Sequence, residues 1–216
     1  MIWLFDLDNT LVDRDGAFRD WAAKTLADAG RPASALAEVL RADAGGFAPK
    51  PLVAQAILDA TGRTGPVAEM IEEMRAGIRA HVVAYPDVAG LLAGLRAAGD
   101  RIGIVTNGDG THQRAKLGLA GLTTLVDAVV VSGEVGFAKP DPRTVRAALG
   151  LLGAEDADPS TVWMIGDAAH ADVAVGHASG VRTGWVSHGR TWSGEGEPDV
   201  VGKTTHDVVA QVQARA

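Results

Sequence analysis

The chain contains no cysteine. Disulfides, thiolate metal sites and a cysteine nucleophile are therefore excluded together. Aromatic residues are scarce, at 5% with a single tyrosine, and much of the 47% apolar content is Ala, Val and Leu. That balance favours helices packed on aliphatic strands over an aromatic-rich β-sandwich. No apolar run approaches the length of a membrane span. The amino terminus lacks the basic flank and long apolar stretch of a secretory signal, so the expected location is the cytoplasm, with no membrane partner. Basic stripes are missing too. The formal charge is −7, which repels a polyanion such as nucleic acid. A small anion remains possible wherever a cation and local donors reverse the field.

What is present, over 216 residues, suffices for one large domain or a core carrying a smaller insert. A short apolar run, residues 2–5, stops at Asp6. From about residue 15 to 81 the pattern is almost wholly helical, punctuated by Gly and Pro. Phe18, Trp21, Ala22, Thr25 and Leu26 recur at helical spacing, as do Val67, Met70, Ile71, Met74 and Ile78. After Tyr85 and Pro86 strands and helices alternate. The expected helices cover residues 87–98 (capped by Asp87), a stretch from the Asn107-Gly108 loop to about 119, 142–152, 169–179 and 205–214. The expected strands cover residues 101–105, 126–131, 162–165 and 182–186, and residues 188–198 read as an exposed glycine-rich loop. Such alternation implies right-handed βαβ units and a mainly parallel sheet buried on both faces. The class is α/β.

Three of these strands end on polar residues: the first at Asp6, the second at Thr106 and Asn107, a later one at Gly166 and Asp167. In a parallel sheet all carboxyl ends lie along one edge, where open α/β sheets place their sites. Asp6, Asp8 and Asp167 are therefore expected to converge, with Asp172 a little more than one turn beyond. So many carboxylates in one place repel each other unless a cation sits among them. All-oxygen ligation suits Mg²⁺. An EF-hand calcium loop does not fit, because Leu11 stands where its sharp turn needs glycine.

Four motifs occur in order: Asp6-Leu-Asp8-Asn-Thr10, Thr106-Asn-Gly108, Lys139-Pro-Asp-Pro142 and Gly166-Asp-Ala-Ala-His-Ala-Asp172. Together they resemble the haloacid dehalogenase superfamily, specifically its phosphatase branch with a helical cap inserted after the first strand. The resemblance implies a Rossmann-like core of residues 1–14 and 83–216 with helices on both faces, and an α-helical bundle cap of residues 15–82. It implies Asp6 as the nucleophile that forms an aspartyl-phosphate, and Asp8 as the acid that protonates the leaving alcohol and then activates water. It further implies Mg²⁺ held by the Asp6 carboxylate, the Asp8 backbone carbonyl and Asp167, with Asp172 orienting a metal-bound water. Thr106 and the backbone at Asn107 and Gly108 would bind phosphate oxygens, and Lys139 would place a fixed positive charge beside Asp6. Asp8 also separates branches: halide leaves without a proton and an alkoxide does not, so an acid here favours phosphate-ester chemistry. The implied partner is a small-molecule phosphate monoester.

Singly, each aspartate could be a turn or cap residue and Lys139 a solvated lysine. Their joint occurrence carries the assignment. Thr10 reads as a loop-stabilising hydroxyl. His170, between Asp167 and Asp172, reads as a surface helix histidine and not a metal ligand, and Trp192 is assigned no role. Arg14, Arg19, Phe47 and Lys50 lie in or beside the insert, where this family selects substrates, although each reads first as a surface residue. Two rival functions share the fold: a phosphomutase using the same Asp6–Asp8 pair, and a non-catalytic binding or regulatory module. A phosphoacceptor receiver domain fits poorly, having no helical insert.

Overall fold

The computed structural model describes residues 1–215. In chain order its elements begin with β1 (Ile2–Phe5), followed by α1 (Arg14–Asp28), α2 (Leu36–Asp43), α3 (Lys50–Thr61) and α4 (Val67–His81). Next come α5 (Val88–Ala97), β2 (Arg101–Thr106), α6 (Gly110–Leu119), β3 (Ala128–Val131), α7 (Ser132–Val135) and α8 (Arg143–Leu151). The chain continues through β4 (Val162–Gly166), a π-helical turn at Ala169–Val173, α9 (Ala174–Ser179), β5 (Arg182–Val186), β6 (Val200–Gly202) and α10 (Thr205–Gln213). It divides into two compact units, one of Met1–Val12 with the chain from Ala84 onward, the other of Asp13–Val83.

The first unit is built on a six-stranded sheet in the order β3-β2-β1-β4-β5-β6, with every pairing parallel. Side chains alternate across β1 as strand geometry requires. Ile2 and Leu4 join Val130, Val145, Ala148, Met164 and Val175 in a core against α8 and α9. Trp3 and Phe5 point the other way, stacked at 6.2 Å between ring centroids, on the face covered by α5 and α10. Burial on both faces explains the uninterrupted apolar runs. After β3 the chain returns to the opposite side of β1, so the topological switch lies between β1 and β4. In the register Phe5 pairs with Ile165, and the Asp6 amide donates to the Ile165 carbonyl at 2.9 Å. Asp6 and Asp167 therefore emerge side by side at the switch point.

Several expected boundaries shift. Asp87 does not cap α5 with its side chain; it sits in the left-handed region at φ 59° immediately before the helix. Residues 126 and 127 lie outside β3, and the Asp127 carboxylate accepts from the Ile102 amide at 2.8 Å. The helix expected over residues 169–179 opens with a wider π turn. β6 was not anticipated, because three residues carry too little pattern to read as a strand. Among the described residues no helix is long and apolar enough to cross a membrane.

The second unit packs α1 against α4 and α2, and α3 against α2 and α4. Its interior is formed by Phe18, Trp21, Ala22 and Leu26 from α1 with Met70, Met74 and Ile78 from α4, spaced three or four residues apart as one helix face demands. Asp13 caps α1 by accepting from the Gly16 amide at 2.8 Å. Arg14 is not a surface residue, contrary to expectation. It is 4% exposed, stacks on Phe18 and pairs with the Asp43 carboxylate, Nη2 to Oδ1 at 2.7 Å. Asp43 and Lys50 in turn bond the Gly46 amide and carbonyl, tying down the loop that joins α2 to α3.

Gly77 is where α4 meets α1: a Cβ there would stand 2.0 Å from Trp21 Cδ1. Gly77→Ala therefore forces the helices apart, at a cost of about 1–3 kcal/mol. A lower urea midpoint is the expected outcome, and an unchanged midpoint would show that the Trp21 contact is not tight.

Candidate active site

The centre of the site is the Lys139 ammonium. Lys139 is 6% exposed, and its Nζ donates to Asp6 Oδ1 at 2.7 Å, to Asp172 Oδ1 at 2.7 Å and to the Val105 carbonyl at 2.5 Å. Three donors thus meet three acceptors, which completes the bonding capacity of an ammonium. The loop carrying it is fixed by Asn107, whose side chain accepts from the Lys139 amide at 2.9 Å and donates to the Lys139 carbonyl at 3.0 Å. The Asn107 side chain therefore has a positioning task that its motif did not disclose.

Asp172 reaches the centre from the π turn. Its Oδ2 accepts from the Ala168 amide at 2.9 Å, and its own amide donates to the Ala168 carbonyl at 2.7 Å. The close approach depends on Gly166, where a Cβ would lie 2.0 Å from Asp172 Oδ2. That contact accounts for the glycine that opens the fourth motif. One oxygen from each of Asp6, Asp167 and Asp172 falls within 4.8 Å of the others, and all three residues are buried. At an effective dielectric near 20, two like charges at that separation repel by about 3–4 kcal/mol.

The titration of the site follows from this crowding. Burial pushes the Asp6 carboxyl up to about 7, opposed by Lys139 and reinforced by Asp172 and Asp8. Burial likewise raises Asp167 to about 8, with Asp172 and Asp6 adding to it and Arg190 opposing it. For Lys139 burial acts downward, but Asp172 and Asp6 outweigh it and hold the ammonium above its ordinary range. A buried all-oxygen group that ionises reluctantly is suited to a small divalent cation, which would take up the charge that now favours protons.

Asp8 lies apart from that group. Lys116 holds its carboxylate by both oxygens, at 2.5 Å to Oδ1, and Gln113 Nε2 donates to Oδ2 at 3.2 Å. The same Gln113 nitrogen donates to Thr106 Oγ1 at 2.5 Å. Neither Gln113 nor Lys116 was anticipated. Both lie on the inner face of α6, one turn apart, and are buried beside Leu117; a Gln and a Lys at core positions of a helix were the available signal. The Gly108 amide, expected to face phosphate, donates to Ser132 Oγ at 2.9 Å. Thr10 steadies its loop through its carbonyl, which accepts from Thr205 Oγ1 at 2.5 Å, while its own buried hydroxyl has no hydrogen-bond partner. His170 is exposed and lies outside the carboxylate group.

The glycine-rich stretch after β5 is a largely exposed loop, as expected, but three of its side chains are anchored. His188 Nε2 contacts the Asn9 carbonyl at 2.6 Å, Arg190 pairs with Asp167 at 3.0 Å, and Trp192 meets Trp185 edge-on at 4.9 Å. These three side chains tie an otherwise exposed segment back to the edge of the sheet.

With this arrangement in view, known proteins supply the context. The sequence pattern described as haloacid dehalogenase-like hydrolase matches residues 3–186. The chain belongs to that family, in its phosphatase branch. A phosphoglycolate phosphatase of Cereibacter sphaeroides is 32% identical over 194 residues, covering 86% of this chain and 84% of that one. A phosphoserine phosphatase of Thermus thermophilus is 40% identical over 117 residues, which is 54% of this chain and 46% of that one. The HAD-hydrolase YfnB of Bacillus subtilis, solved bound to magnesium, superposes with a TM-score of 0.78 over 98% of this chain and 97% of its own, at 20% identity. At that identity the likeness speaks for the fold alone. The four motifs of this chain meet at the carboxyl edge of its parallel sheet.

The raised carboxyls have a consequence for stability. Folded Asp6 and Asp167 keep protons at pH values where the unfolded chain, with carboxyls near 3.8, has released them. Folding therefore takes up protons between those limits, and stability falls as pH rises. In the presence of a chelator the melting temperature should drop between about pH 6 and about pH 8.5. A flat or rising profile over that window contradicts the raised values.

Proposed function

We propose that the chain is a Mg²⁺-dependent phosphatase that hydrolyses a small-molecule phosphate monoester through an aspartyl-phosphate on Asp6. The observation that carries this reading is the position of Asp6, at the end of β1, with one oxygen held by Lys139 and the carboxylates of Asp167 and Asp172 alongside. Four carboxylates here face three cationic side chains, Lys116, Lys139 and Arg190. With all four ionised the balance is negative before any anion arrives, and a phosphate dianion would deepen it. Asp6 and Asp167, with the Asp8 carbonyl, would hold a divalent cation, leaving Asp172 to orient a metal-bound water. When bound, the cation supplies the charge that offsets the phosphoryl oxygens in ground and transition states.

The remaining steps belong to the chain itself. A carboxylate oxygen of Asp6 attacks phosphorus, forming the acyl-phosphate as the bond to the alcohol oxygen breaks. Asp8, protonated and released from Lys116 at the start of this step, delivers the proton that the leaving alkoxide needs, then takes one from the water that attacks the acyl-phosphate. This second attack releases inorganic phosphate and restores the Asp6 carboxylate. Gln113 orients Asp8 and couples it to Thr106, a candidate donor to the phosphate oxygens, while Lys116 stabilises the ionised Asp8 that receives the proton from water. Lys139 keeps a fixed positive charge at the nucleophile throughout. The formal charge of −7 weighs against a nucleic-acid substrate.

The relatives are named for phosphoglycolate, phosphoserine and pyrimidine 5′-nucleotides, so these three compounds head a panel of phosphate monoesters. Phosphate release should require Mg²⁺ and stop in chelator. Asp6→Asn should reduce turnover by more than about 10³-fold while leaving the circular dichroism spectrum unchanged. Turnover by that variant at the wild-type rate would remove Asp6 from the role of nucleophile.

A further inference from the structure

The segment after β5 contains one cation that the proposed chemistry does not use. Arg190 Nε donates to the Ser187 carbonyl at 3.0 Å, and its Nη2 donates to the Asp167 carbonyl at 2.8 Å, to Asp167 Oδ2 at 3.0 Å and to the Val186 carbonyl at 3.3 Å. The guanidinium lies 5.8 Å from the ring centroid of Trp185, whose Nε1 donates to the same Asp167 carbonyl at 2.9 Å. Trp192 closes on Trp185 from the side. A surface ion pair by itself contributes little. Here one nitrogen bonds both the main-chain and the side-chain oxygen of a single residue, which fixes the torsion between them and so the direction of the carboxylate. The other bonds, to backbone carbonyls, fix the guanidinium itself.

We propose that Arg190 is a positioning residue for the divalent-cation site, holding the Asp167 carboxylate in the orientation that presents it to Asp6 and Asp172. This rests on the reading of those carboxylates as a cation site. Two effects of Arg190 on a cation oppose each other. Its charge repels the ion, but the Arg190 side chain is 45% exposed and solvent screens it. Its hold on the orientation of Asp167 acts directly on a ligand, and outer-shell partners of that kind typically change metal affinity by about 10–100-fold. Orientation therefore outweighs repulsion. A lysine keeps the charge but not the planar fork that reaches several acceptors at once.

The test is Mg²⁺ binding by isothermal titration calorimetry at constant pH, with no substrate present. Arg190→Ala should weaken binding by about 10-fold or more, and Arg190→Lys by less. Trp192→Ala loosens the same segment without removing a bond to Asp167 and should stay near the wild-type affinity. Wild-type affinity in both Arg190 variants overturns the proposal, as does tighter binding in Arg190→Ala, which would mean that repulsion dominates. Equal weakening by Trp192→Ala also overturns it, because generic packing of the segment would then explain the loss. A wild-type chain that binds no Mg²⁺ removes the cation site and this inference together, whereas wild-type binding with unaffected Arg190 variants removes only the inference.

Discussion

The structure depends first on the Lys139 ammonium, buried among two carboxylates and a backbone carbonyl. An isolated charge in that place would be prohibitively costly, and removing one partner of a buried pair typically costs about 3–5 kcal/mol. Each of the other motifs meets this contact. The first supplies Asp6, the strand before the second supplies the Val105 carbonyl, and the fourth supplies Asp172. The Asn107 side chain braces the backbone of Lys139 itself. Four stretches far apart in sequence are thereby held to one register at the sheet's edge.

That contact satisfies only part of the charge. Asp167 lies within the same group of carboxylates but bonds to Arg190, not to Lys139. Its carboxyl, like that of Asp6, ionises only well above the ordinary carboxylate range. A site arranged in this way is stable with protons or with a divalent cation, and the two compete for the same oxygens. Occupancy by the proposed cation would convert a cluster that, when ionised, repels phosphate into one that accepts it. The fold contributes by fixing these carboxylates beforehand: β1 and β4 in register, Gly166 admitting Asp172, and the Arg190–Trp185 pair on Asp167.

Much of this was legible from residue order alone, for a physical reason. Parallel strands place their carboxyl ends on one edge, so a polar residue following each apolar run already marks the site. Asp6, Thr106, Asn107 and Asp167 were found in that way. Asp172 was placed a little more than one turn beyond Asp167 by the same reasoning, whereas Lys139 follows no strand directly and came from the motif pattern. Gln113 and Lys116 were overlooked because they sit on a helix, where a polar residue is ordinarily taken as solvent-facing. Arg190 and Trp192 lie in a segment with no periodicity, and nothing local distinguishes an arginine folded back on backbone carbonyls from one in water. Arg14 was misread for the same reason: its partner Asp43 is 29 residues away, beyond the reach of helical spacing. β6 escaped because three residues carry too little alternation.

The claim beneath all of this is that Asp6 and Asp167 share one divalent ion while Lys139 stays bonded to Asp6 and Asp172. Crystals grown with Mn²⁺, a substitute with the same preference for oxygen, and measured for anomalous scattering test it directly. A single strong peak in contact with Asp6 and Asp167, with the Lys139 bonds intact, is the predicted result. Mn²⁺ bound elsewhere, with Asp6 and Asp167 neutralised only by Lys139 and Arg190, would contradict it.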